Sequence, residues 1–312
     1  MLKRLASPRA IAALLVLSTS AACTTRRVSP SDHDHPMDGG ASPAASAANP
    51  AQQGSAMLPA NSATVAQRVG SSPRHGEWAM IRTGPNDSVR AWVVYPQRST
   101  KAPVVVVIHE IFGLSTWVKG VADQLAADGF IAIAPDLLTG KAELQGDSLP
   151  YNVATTTIRT IQRDDYQRQL AAVGRYGMSL PAALPKYGVV GYCWGGSASF
   201  GHAVMSPTGL GAAVVYYGTS PSSAELANVK VPVLGLYGGN DQRVNATIPA
   251  ADSTMKSLGK VYEVHIFEGA GHGFLRQQDV PQGQNPPNPA NLTATQQAWP
   301  LTIGFFRKHL GA

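Results

Sequence analysis

Cys193, Asp241 and His272 each lie in a short glycine-rich segment that follows an apolar or alternating strand pattern. Their chain order is nucleophile, acid, histidine, which is one of the orders that catalytic triads use. In such a triad the histidine takes a proton from the nucleophile and returns it to the leaving group, while the acid orients the imidazole. The three segments together predict acyl transfer through a covalent intermediate on Cys193.

The segment around Cys193 has the pattern of a strand, a tight turn and a helix. Residues 187–192 are largely apolar and predict a buried strand, and residues 195–205 predict a helix. Gly191 and Gly195 allow close backbone approach on both sides of the thiol, as a strained turn at a strand end requires. The N-terminus of the helix is expected to favour thiolate over thiol. The alternative is that Cys193 is a small buried hydrophobe, as most free cysteines are.

Strand and helix patterns alternate through the chain and must position these segments. The valine-rich run 104–108 is typical of a strand buried on both faces of a parallel sheet. The predicted strands are 77–82, 88–95, 104–108, 131–134, 187–192, 211–217, 231–237 and 262–267, and the predicted helices are 117–128, 164–176, 195–205, 249–258 and 295–310. The sequence therefore predicts an α/β fold with a doubly wound, mostly parallel sheet and helices on both faces.

Two stretches of the chain lack a clear period. Residues 137–154 show neither a helical nor a strand pattern and are expected to form a loop or lid. Residues 281–291 are rich in proline, glycine and asparagine, which predicts an irregular surface excursion.

Motifs spread over the catalytic region resemble those of one family. They are His109-Glu110-Ile-Phe-Gly113, Ala134-Pro-Asp-Leu137, Gly191-Tyr-Cys-Trp-Gly-Gly196, Gly238-Gly-Asn-Asp241 and Gly271-His-Gly-Phe274 with Arg276. From about Gly76 onward the chain resembles the dienelactone hydrolase family, whose members are α/β-hydrolases with a Cys-Asp-His triad. The resemblance implies an α/β-hydrolase fold and cleavage of a lactone or other carboxylic ester by Cys193, Asp241 and His272.

Glu110 follows the strand at 104–108 and is expected to point toward the thiol from a neighbouring strand end. Burial at that place would raise the pKa of its carboxyl group. By resemblance, Glu110 interacts with the resting cysteine and helps to deprotonate it when substrate enters. The alternative is a structural carboxylate that pairs with Arg276 or another cation.

The same motifs supply groups that would hold the substrate. Acyl transfer needs N–H donors for the oxyanion, and the expected pair is Trp194, after the nucleophile, and Ile111, after the first buried strand. By resemblance, Arg276 binds a substrate carboxylate, an anion that suits a guanidinium fork. A second arginine of the family is expected before the helix at 164–176, where Arg159 and Arg163 are the candidates.

The first 22 residues are predicted to be a signal peptide. They have a basic start, an apolar run and small residues before Cys23, and the run is too short for a membrane span. Ser20-Ala-Ala-Cys23 resembles a lipobox, which predicts lipidation of Cys23 and an exported lipoprotein anchored to a membrane of the cell envelope. The same residues also satisfy an ordinary signal-peptidase site, so a soluble exported form is the alternative.

The rest of the chain divides into a tether and a catalytic domain. Residues 23–75 are predicted to be the lipidated cysteine and a flexible tether, because they contain few bulky apolar residues to offset the entropy of ordering. Within it, the stretch Asp32-His-Asp-His-Pro-Met-Asp38 is interpreted as a solvated polar patch rather than a weak metal site. Residues 76–312 are predicted to be the α/β-hydrolase domain.

Composition excludes several other kinds of function. From Gly76 onward there are 18 basic and 16 acidic residues, so this region is close to neutral and nucleic acid is not expected as a partner. It contains no metal-ligand cluster, phosphate loop or dinucleotide fingerprint, so neither a metal nor a cofactor is expected. We expect a monomer that acts on a small-molecule ester or lactone.

Three functions remain open on the sequence alone. The favoured one is an exported, dienelactone hydrolase-like ester hydrolase that works through an acyl-enzyme on Cys193. The first alternative is a general esterase or thioesterase, whose activity would depend neither on a substrate carboxylate nor on Arg276. A non-catalytic surface lipoprotein would use the fold as a binding module, a role that does not need the three triad residues together.

Overall fold

A computed structural model describes residues 57–146, 149–281 and 285–311, and these form one sheet with helices around it. The strands are β1 (Gly76–Gly84), β2 (Asp87–Val94), β3 (Ala102–Ile108), β4 (Ile131–Asp136), β5 (Ala183–Tyr192), β6 (Leu210–Tyr216), β7 (Val233–Gly238) and β8 (Tyr262–Phe267). The helices are α1 (Val65–Gly70), α2 (Thr116–Ala127), α3 (Tyr151–Thr157), α4 (Arg163–Ser179), α5 (Trp194–Met205), α6 (Ser223–Leu226), α7 (Gln242–Asn245), α8 (Ile248–Ser257), α9 (Phe274–Gln277) and α10 (Pro289–Leu310).

The eight strands form a single sheet in the order β1-β2-β4-β3-β5-β6-β7-β8. β1 and β2 form an antiparallel hairpin at one edge, and β2 pairs antiparallel with β4. All other neighbours are parallel, from β4 through β8. The parallel strands bring the segments after β3, β5, β7 and β8 to the same edge of the sheet, where open α/β sheets build their sites. The predicted doubly wound, mostly parallel sheet is confirmed.

Both faces of the sheet are covered, and the strands are apolar for that reason. Alternate residues of β3 point to opposite faces: Val105 and Val107 join the cluster beneath α2 and α10, whereas Val104 and Val106 join the cluster beneath α4, α5 and α8. All seven residues of β3 are buried. The prediction of helices on both faces is also confirmed.

Helix boundaries differ from the sequence-based ones where side-chain periodicity is weak. α10 begins at Pro289, six residues before the predicted start at 295, because proline suits the first turn of a helix and the Asn288 side chain caps it by accepting from the N–H of Ala290. Part of the predicted loop at 137–154 enters α3, which begins at Tyr151. The four-residue helices α6, α7 and α9 are too short to leave a periodic pattern.

The folded domain begins before the predicted boundary at residue 76. Residues 57–75 contain α1, and Ala60 and Val65 are buried in the cluster that covers the α2 face. A Cβ atom added to Gly120 in α2 would lie 2.3 Å from Val65 Cγ2, so α1 packs closely on α2. The flexible-tether prediction is therefore wrong for residues 57–75, where a few small apolar contacts suffice to fix the chain.

Residues 1–56 lie outside the described part of the chain. They include the predicted signal peptide, Cys23 and the stretch 32–38, so those interpretations stay predictions. Within the ranges described above, no helix is both long enough and apolar enough to cross a membrane.

Candidate active site

Cys193 occupies a strained turn between β5 and α5. Its φ of 57° and ψ of −117° are unusual for a residue with a side chain, and such strain is held by the surrounding structure. A Cβ atom on Gly191 would lie 1.8 Å from the carbonyl oxygen of Gly195, and one on Gly195 would lie 2.4 Å from the carbonyl oxygen of His109. The two glycines are therefore required by backbone packing, as the sequence predicted.

The pKa of the Cys193 thiol lies above its ordinary value, although the helix N-terminus favours the thiolate as expected. Burial, and next the negative charge of Glu110, raise the pKa of the Cys193 thiol to about 11. The backbone N–H of Trp194 and the charge of Arg243 act in the opposite direction and lower the pKa. The helix does contribute, but desolvation of the sulfur outweighs it.

Asp241 and His272 form a close pair at the ends of neighbouring strands. The Nδ1 atom of His272 lies 2.5 Å from Oδ2 of Asp241, which follows β7, while His272 follows β8. Oδ1 of Asp241 accepts from the N–H of Val244 and so also caps α7. Since Nδ1 faces the carboxylate, Nε2 is the ring nitrogen left to act on a reacting group. One oxygen of Asp241 thus faces the imidazole while the other caps a helix.

A chain of buried amide groups holds the backbone of His272 on both sides. The N–H of Gly271 donates to Oδ1 of Asn291 at 2.9 Å, and Nδ2 of Asn291 donates to Oε1 of Gln277 at 3.3 Å. Nε2 of Gln277 in turn donates to the carbonyl oxygen of His272 at 3.0 Å. Asn291 and Gln277 are both buried, and Gly273 has a φ of 78° that favours glycine. We name Gly271, His272, Gln277 and Asn291 the amide clamp.

Glu110 is buried beside Arg276. Oε2 of Glu110 lies 3.0 Å from Nε of Arg276, an ion-pair distance, but the N–H is not aligned and neither atom has a hydrogen-bond partner among the described residues. Burial raises the pKa of Glu110 to about 7, although Arg276 acts to lower it. Glu110 is therefore buried as predicted, and it also lies in the pairing with Arg276 that was the alternative to an interaction with the cysteine.

Two tyrosine hydroxyls extend this group of buried polar atoms. Tyr192 ends β5 and Tyr217 follows β6, and the hydroxyl group of each is buried without a hydrogen-bond partner in the described ranges. Burial, then nearby charges that include Glu110, place the pKa of both tyrosines well above the ordinary value. Tyr217 has a positive φ of 40° and packs its ring edge-on against His272 at 5.1 Å. The sequence analysis missed both residues, although each lies at the carboxyl end of a strand that forms the site.

The two N–H groups that were predicted to hold an oxyanion belong to the segments that follow β3 and β5. Ile111 lies in the turn after β3, and Trp194 is the first residue of α5. Neither N–H donates to a backbone or side-chain oxygen within the described ranges. First-turn N–H groups of a helix lack intrahelical partners, so the free donor of Trp194 follows from its position.

His109 fixes the strand end that carries Glu110. Nε2 of His109 accepts from the N–H of Leu137, so Nδ1 carries the proton and donates to the carbonyl oxygen of Glu110 at 2.7 Å. Burial lowers the pKa of His109, which keeps the ring neutral. Its ring stacks on Trp194 at 5.9 Å between centroids. The large side chain of Trp194 therefore packs against His109, next to the Cys193 turn.

Residues from the predicted loop or lid cover one side of the site. Tyr151 at the start of α3 stacks on Phe112, and the guanidinium of Arg276 lies 5.2 Å from the centre of the Phe112 ring. Apolar residues of this region form a separate small cluster against Ile111 and Trp194, made of Leu138, Leu149, Ala154 and Ile158. Phe112, which the sequence analysis did not single out as a functional side chain, connects Arg276 to this cover.

The structure does not bring the candidate second arginine into this group. Arg159 is exposed just after α3, and no contact between its side chain and Glu110, Cys193 or Arg276 is present in the described part of the chain. Arg163 pairs instead with Glu225. Arg243, in α7, has a positive charge that lowers the pKa of the Cys193 thiol. No group of three or more histidine, cysteine, aspartate or glutamate side chains among the described residues is arranged to hold a metal ion.

The fold and this site define an α/β-hydrolase: a mostly parallel sheet carries the strained Cys193 turn after β5, Asp241 after β7 and His272 after β8. The model of the dienelactone hydrolase family matches residues 89–310, well over half of the chain. The chain belongs to the dienelactone hydrolase family, and it is accordingly a hydrolase of the carboxylic-ester type.

Several known proteins are similar to this chain. A putative carboxymethylenebutenolidase of Saccharolobus solfataricus is 28% identical over 253 residues, which cover 70% of this chain and 94% of that protein. A human carboxymethylenebutenolidase homolog is 30% identical over 194 residues, covering 57% of this chain and 75% of the human protein. The crystal structure of a putative dienelactone hydrolase from Klebsiella pneumoniae has a TM-score of 0.65 and 20% identity, covering 76% of this chain and 99% of that one. That structural likeness shows the fold.

Proposed function

We propose that the protein hydrolyses a lactone or other carboxylic ester through an acyl-enzyme on Cys193, and that the substrate carries a free carboxylate in addition to the ester group. The observation that carries this proposal is the Asp241–His272 pair at 2.5 Å on the same sheet edge as the strained Cys193 turn. The names of the relatives support it, since carboxymethylenebutenolidase denotes an enzyme that opens a lactone.

Glu110 is the first acceptor of the thiol proton in this proposal. It has the largest effect of any charged side chain on the pKa of Cys193, and its own pKa of about 7 leaves it largely ionised in mildly alkaline solution. A substrate carboxylate bound to Arg276 competes with Glu110 for the guanidinium charge. Because Arg276 lowers the pKa of Glu110, this competition raises the proton affinity of Glu110 at the moment when the thiolate is needed.

The first half of the reaction then forms the thioester. The sulfur of Cys193 loses its proton to Glu110 and attacks the ester carbonyl carbon, and the oxyanion is held by the N–H groups of Ile111 and Trp194. The carbon–oxygen bond to the leaving group breaks, and the leaving oxygen takes the proton that Glu110 holds.

The second half restores the enzyme. His272, oriented by Asp241, accepts a proton from water at Nε2, and the hydroxide attacks the thioester carbonyl. The carbon–sulfur bond breaks, the carboxylic acid product leaves, and His272 returns its proton to the sulfur of Cys193. Proton gain and loss balance over the two halves.

The experiment that tests the mechanism compares the full chain with Cys193→Ala on a dienelactone and on a neutral activated aryl ester. We expect the substitution to lower the turnover of both esters by about 10³-fold or more, because no acyl-enzyme can form. Mass spectrometry of the wild-type chain during turnover should show an adduct on Cys193. Equal turnover by the variant would reject the thiol mechanism, and absence of turnover by both would favour a binding module.

The substrate carboxylate is tested separately at Arg276. Arg276→Ala should raise KM for the dienelactone by at least tenfold and leave KM for the neutral ester within about twofold, because only the anion loses a charge-assisted hydrogen bond. Arg159→Ala is the matched control, since that guanidinium is exposed and has no described contact with the site. Unchanged selectivity in Arg276→Ala would favour a general esterase or thioesterase.

We also propose that the chain is exported and anchored by a lipid on Cys23. The basic start, the short apolar run and Ser20-Ala-Ala-Cys23 support this. Cys23→Ser should move the protein from the membrane fraction to the soluble envelope fraction without altering ester hydrolysis. Membrane association equal to wild type would reject the anchor.

A further inference from the structure

Residues 58–69, which we name the N-terminal brace, contact the segment that carries Arg276. They precede the family match at 89–310, so this feature is an addition to the family region. The N–H of Ser62 donates to the carbonyl oxygen of Arg276 at 2.9 Å. Nε2 of Gln278 donates to the carbonyl oxygen of Pro59 at 2.7 Å, and this bond is buried. The brace is therefore bonded to Arg276 itself and to the residue that ends its helix.

The other side of the brace is fixed to α2. Nε1 of Trp117 donates to the carbonyl oxygen of Ala60 at 3.1 Å, and Val65 packs closely against Gly120. α2 starts at Thr116, a few residues after the turn that contains Glu110. The brace thus joins the two segments whose side chains meet in the Glu110–Arg276 ion pair.

The helix that carries Arg276 is weak without outside support. α9 contains four residues, and helices of this length are not stable from their own hydrogen bonds. It begins after Gly273, with a φ of 78°, and ends at Gln278, whose φ of 48° is unusual for a residue with a side chain. The hydrogen bonds from Ser62 and to Pro59 act on this helix and on its strained end.

We propose that the N-terminal brace positions Arg276 and thereby sets the preference of the enzyme for anionic esters. This inference rests on the proposed function. The brace holds the backbone of α9 at a fixed distance from α2, so that the guanidinium stays beside Glu110 and within reach of a substrate carboxylate. Ser62, through its N–H, and Gln278, through its amide, are positioning residues, since neither is placed to touch the reacting ester.

The test removes one hydrogen bond of the brace in the full chain. Ser62→Pro lacks the N–H that bonds to Arg276, whereas Ser62→Ala retains it and is the matched control. We expect Ser62→Pro to raise KM for a dienelactone about five- to tenfold, with kcat and the KM for a neutral aryl ester within about twofold of wild type. Equal changes in KM for both esters, or no change in either, would overturn the proposal.

Gln278→Ala is the second variant, in case proline at residue 62 prevents folding. It removes the donor to Pro59, together with a bond to the carbonyl oxygen of Leu275, and should give the same selective rise in KM. Gln67→Ala, at an exposed position of α1, should not. Unchanged selectivity in a folded Gln278→Ala variant would count against the brace.

Amide hydrogen exchange separates failure of the brace from failure of the proposed function. In either variant, residues 274–279 should exchange at least about tenfold faster than in the wild type, while residues 104–108 of β3 stay unchanged. If the wild-type chain hydrolyses neither ester, the proposed function fails, and this readout still decides whether the brace supports α9. Unchanged exchange at 274–279 would overturn the brace.

Discussion

Nε of Arg276 lies 3.0 Å from Oε2 of Glu110, yet the pair lacks the alignment of a hydrogen bond. A well-aligned guanidinium would hold the carboxylate ionised at neutral pH, but here burial outweighs the pairing and raises the pKa of Glu110 to about 7. The carboxyl group therefore changes its charge near neutral pH. Because its charge also raises the pKa of Cys193, the states of the two groups are linked.

The first prediction concerns the stability of the folded protein as pH changes. The folded state holds the Glu110 proton more tightly than the unfolded chain, so the stability contributed by this group is full below about pH 4.5 and is lost as pH rises through about 7. Glu110→Gln cannot titrate. Between about pH 5 and 8, the free energy of unfolding should therefore fall less in Glu110→Gln than in the wild type. The difference between the two decreases should be about 2 to 3 kcal/mol.

Urea unfolding at several pH values measures this difference. Glu268→Gln is the matched control, because that carboxylate is exposed and the substitution should leave the pH profile unchanged. Parallel pH profiles for the wild type and Glu110→Gln would show that Glu110 does not have the raised pKa.

The second prediction concerns the reactivity of the resting thiol. With a pKa of about 11, Cys193 should react with iodoacetamide at a rate that rises about tenfold per pH unit from pH 8 to 10 without a plateau, because the thiolate is the reacting form. The rate is followed by mass spectrometry of the Cys193 peptide. A rate that is half-maximal near about pH 8.5 and levels off above about pH 9.5 would instead indicate an ordinary exposed thiol.

Substitutions of the two neighbouring charges should change this rate in opposite directions. Glu110→Gln removes a negative charge that raises the pKa of Cys193, so it should speed alkylation several-fold at pH 8. Arg243→Ala removes a positive charge that lowers this pKa, so it should slow alkylation. The same direction of change in both variants would contradict the electrostatic origin of the raised pKa.

The frame of the site could be predicted from the sequence because it depends on strong local patterns. The apolar run of β3 and the glycines around Cys193 have few structural interpretations, and the predicted strand 262–267 coincides with β8. The parallel order then places the acid and histidine segments at one edge. The pairing of Asp241 with His272 follows from that placement together with the order of the motifs.

The remaining features depend on distances between segments that the sequence does not encode locally. The place of Cys193 at a helix N-terminus favours the thiolate, but burial of the sulfur has the larger effect and raises the pKa of the thiol. The brace was interpreted as tether because its contacts involve small residues such as Ala60 and backbone groups. Tyr192 and Tyr217 have the sequence pattern of ordinary strand residues, and only the structure shows that their buried hydroxyls lack hydrogen-bond partners among the residues it describes.

The third prediction concerns Asp241. Asp241→Asn retains an oxygen that can cap α7 but no longer offers a carboxylate to Nδ1 of His272, so the imidazole loses its orientation and the stabilisation of its charge. We expect kcat for the neutral ester to fall roughly 10³- to 10⁴-fold, with a change in thermal midpoint of only a few degrees. Asp252→Asn, at a surface ion pair with Lys256, is the control and should retain full activity. A decrease in kcat below tenfold would exclude Asp241 from the triad.

The fourth prediction concerns the amide clamp. Asn291→Ala removes the acceptor for the N–H of Gly271 and the partner of Gln277, so the His272 loop loses its support from α10. Leaving a partly buried N–H without this partner should lower the free energy of unfolding by about 1 to 3 kcal/mol. Because the imidazole is then less well placed, kcat for the neutral ester should fall at least tenfold while KM changes by less than about twofold.

Asn288→Ala separates this positioning role from a general loss of stability. Asn288 caps the same helix and donates to the carbonyl oxygen of Gly269 at 2.8 Å. It also donates to Oδ1 of Asn291 at 3.4 Å, a longer bond than the one from Gly271, but it does not bond to Gly271 or His272 in the described structure. Its loss should destabilise the protein by a similar amount and leave kcat within about twofold. The alkylation rate of Cys193 should equal that of the wild type in both variants, because neither change reaches the nucleophile turn. If kcat fell equally in the two variants, the clamp would be a structural support of α10 and not a positioning device for His272.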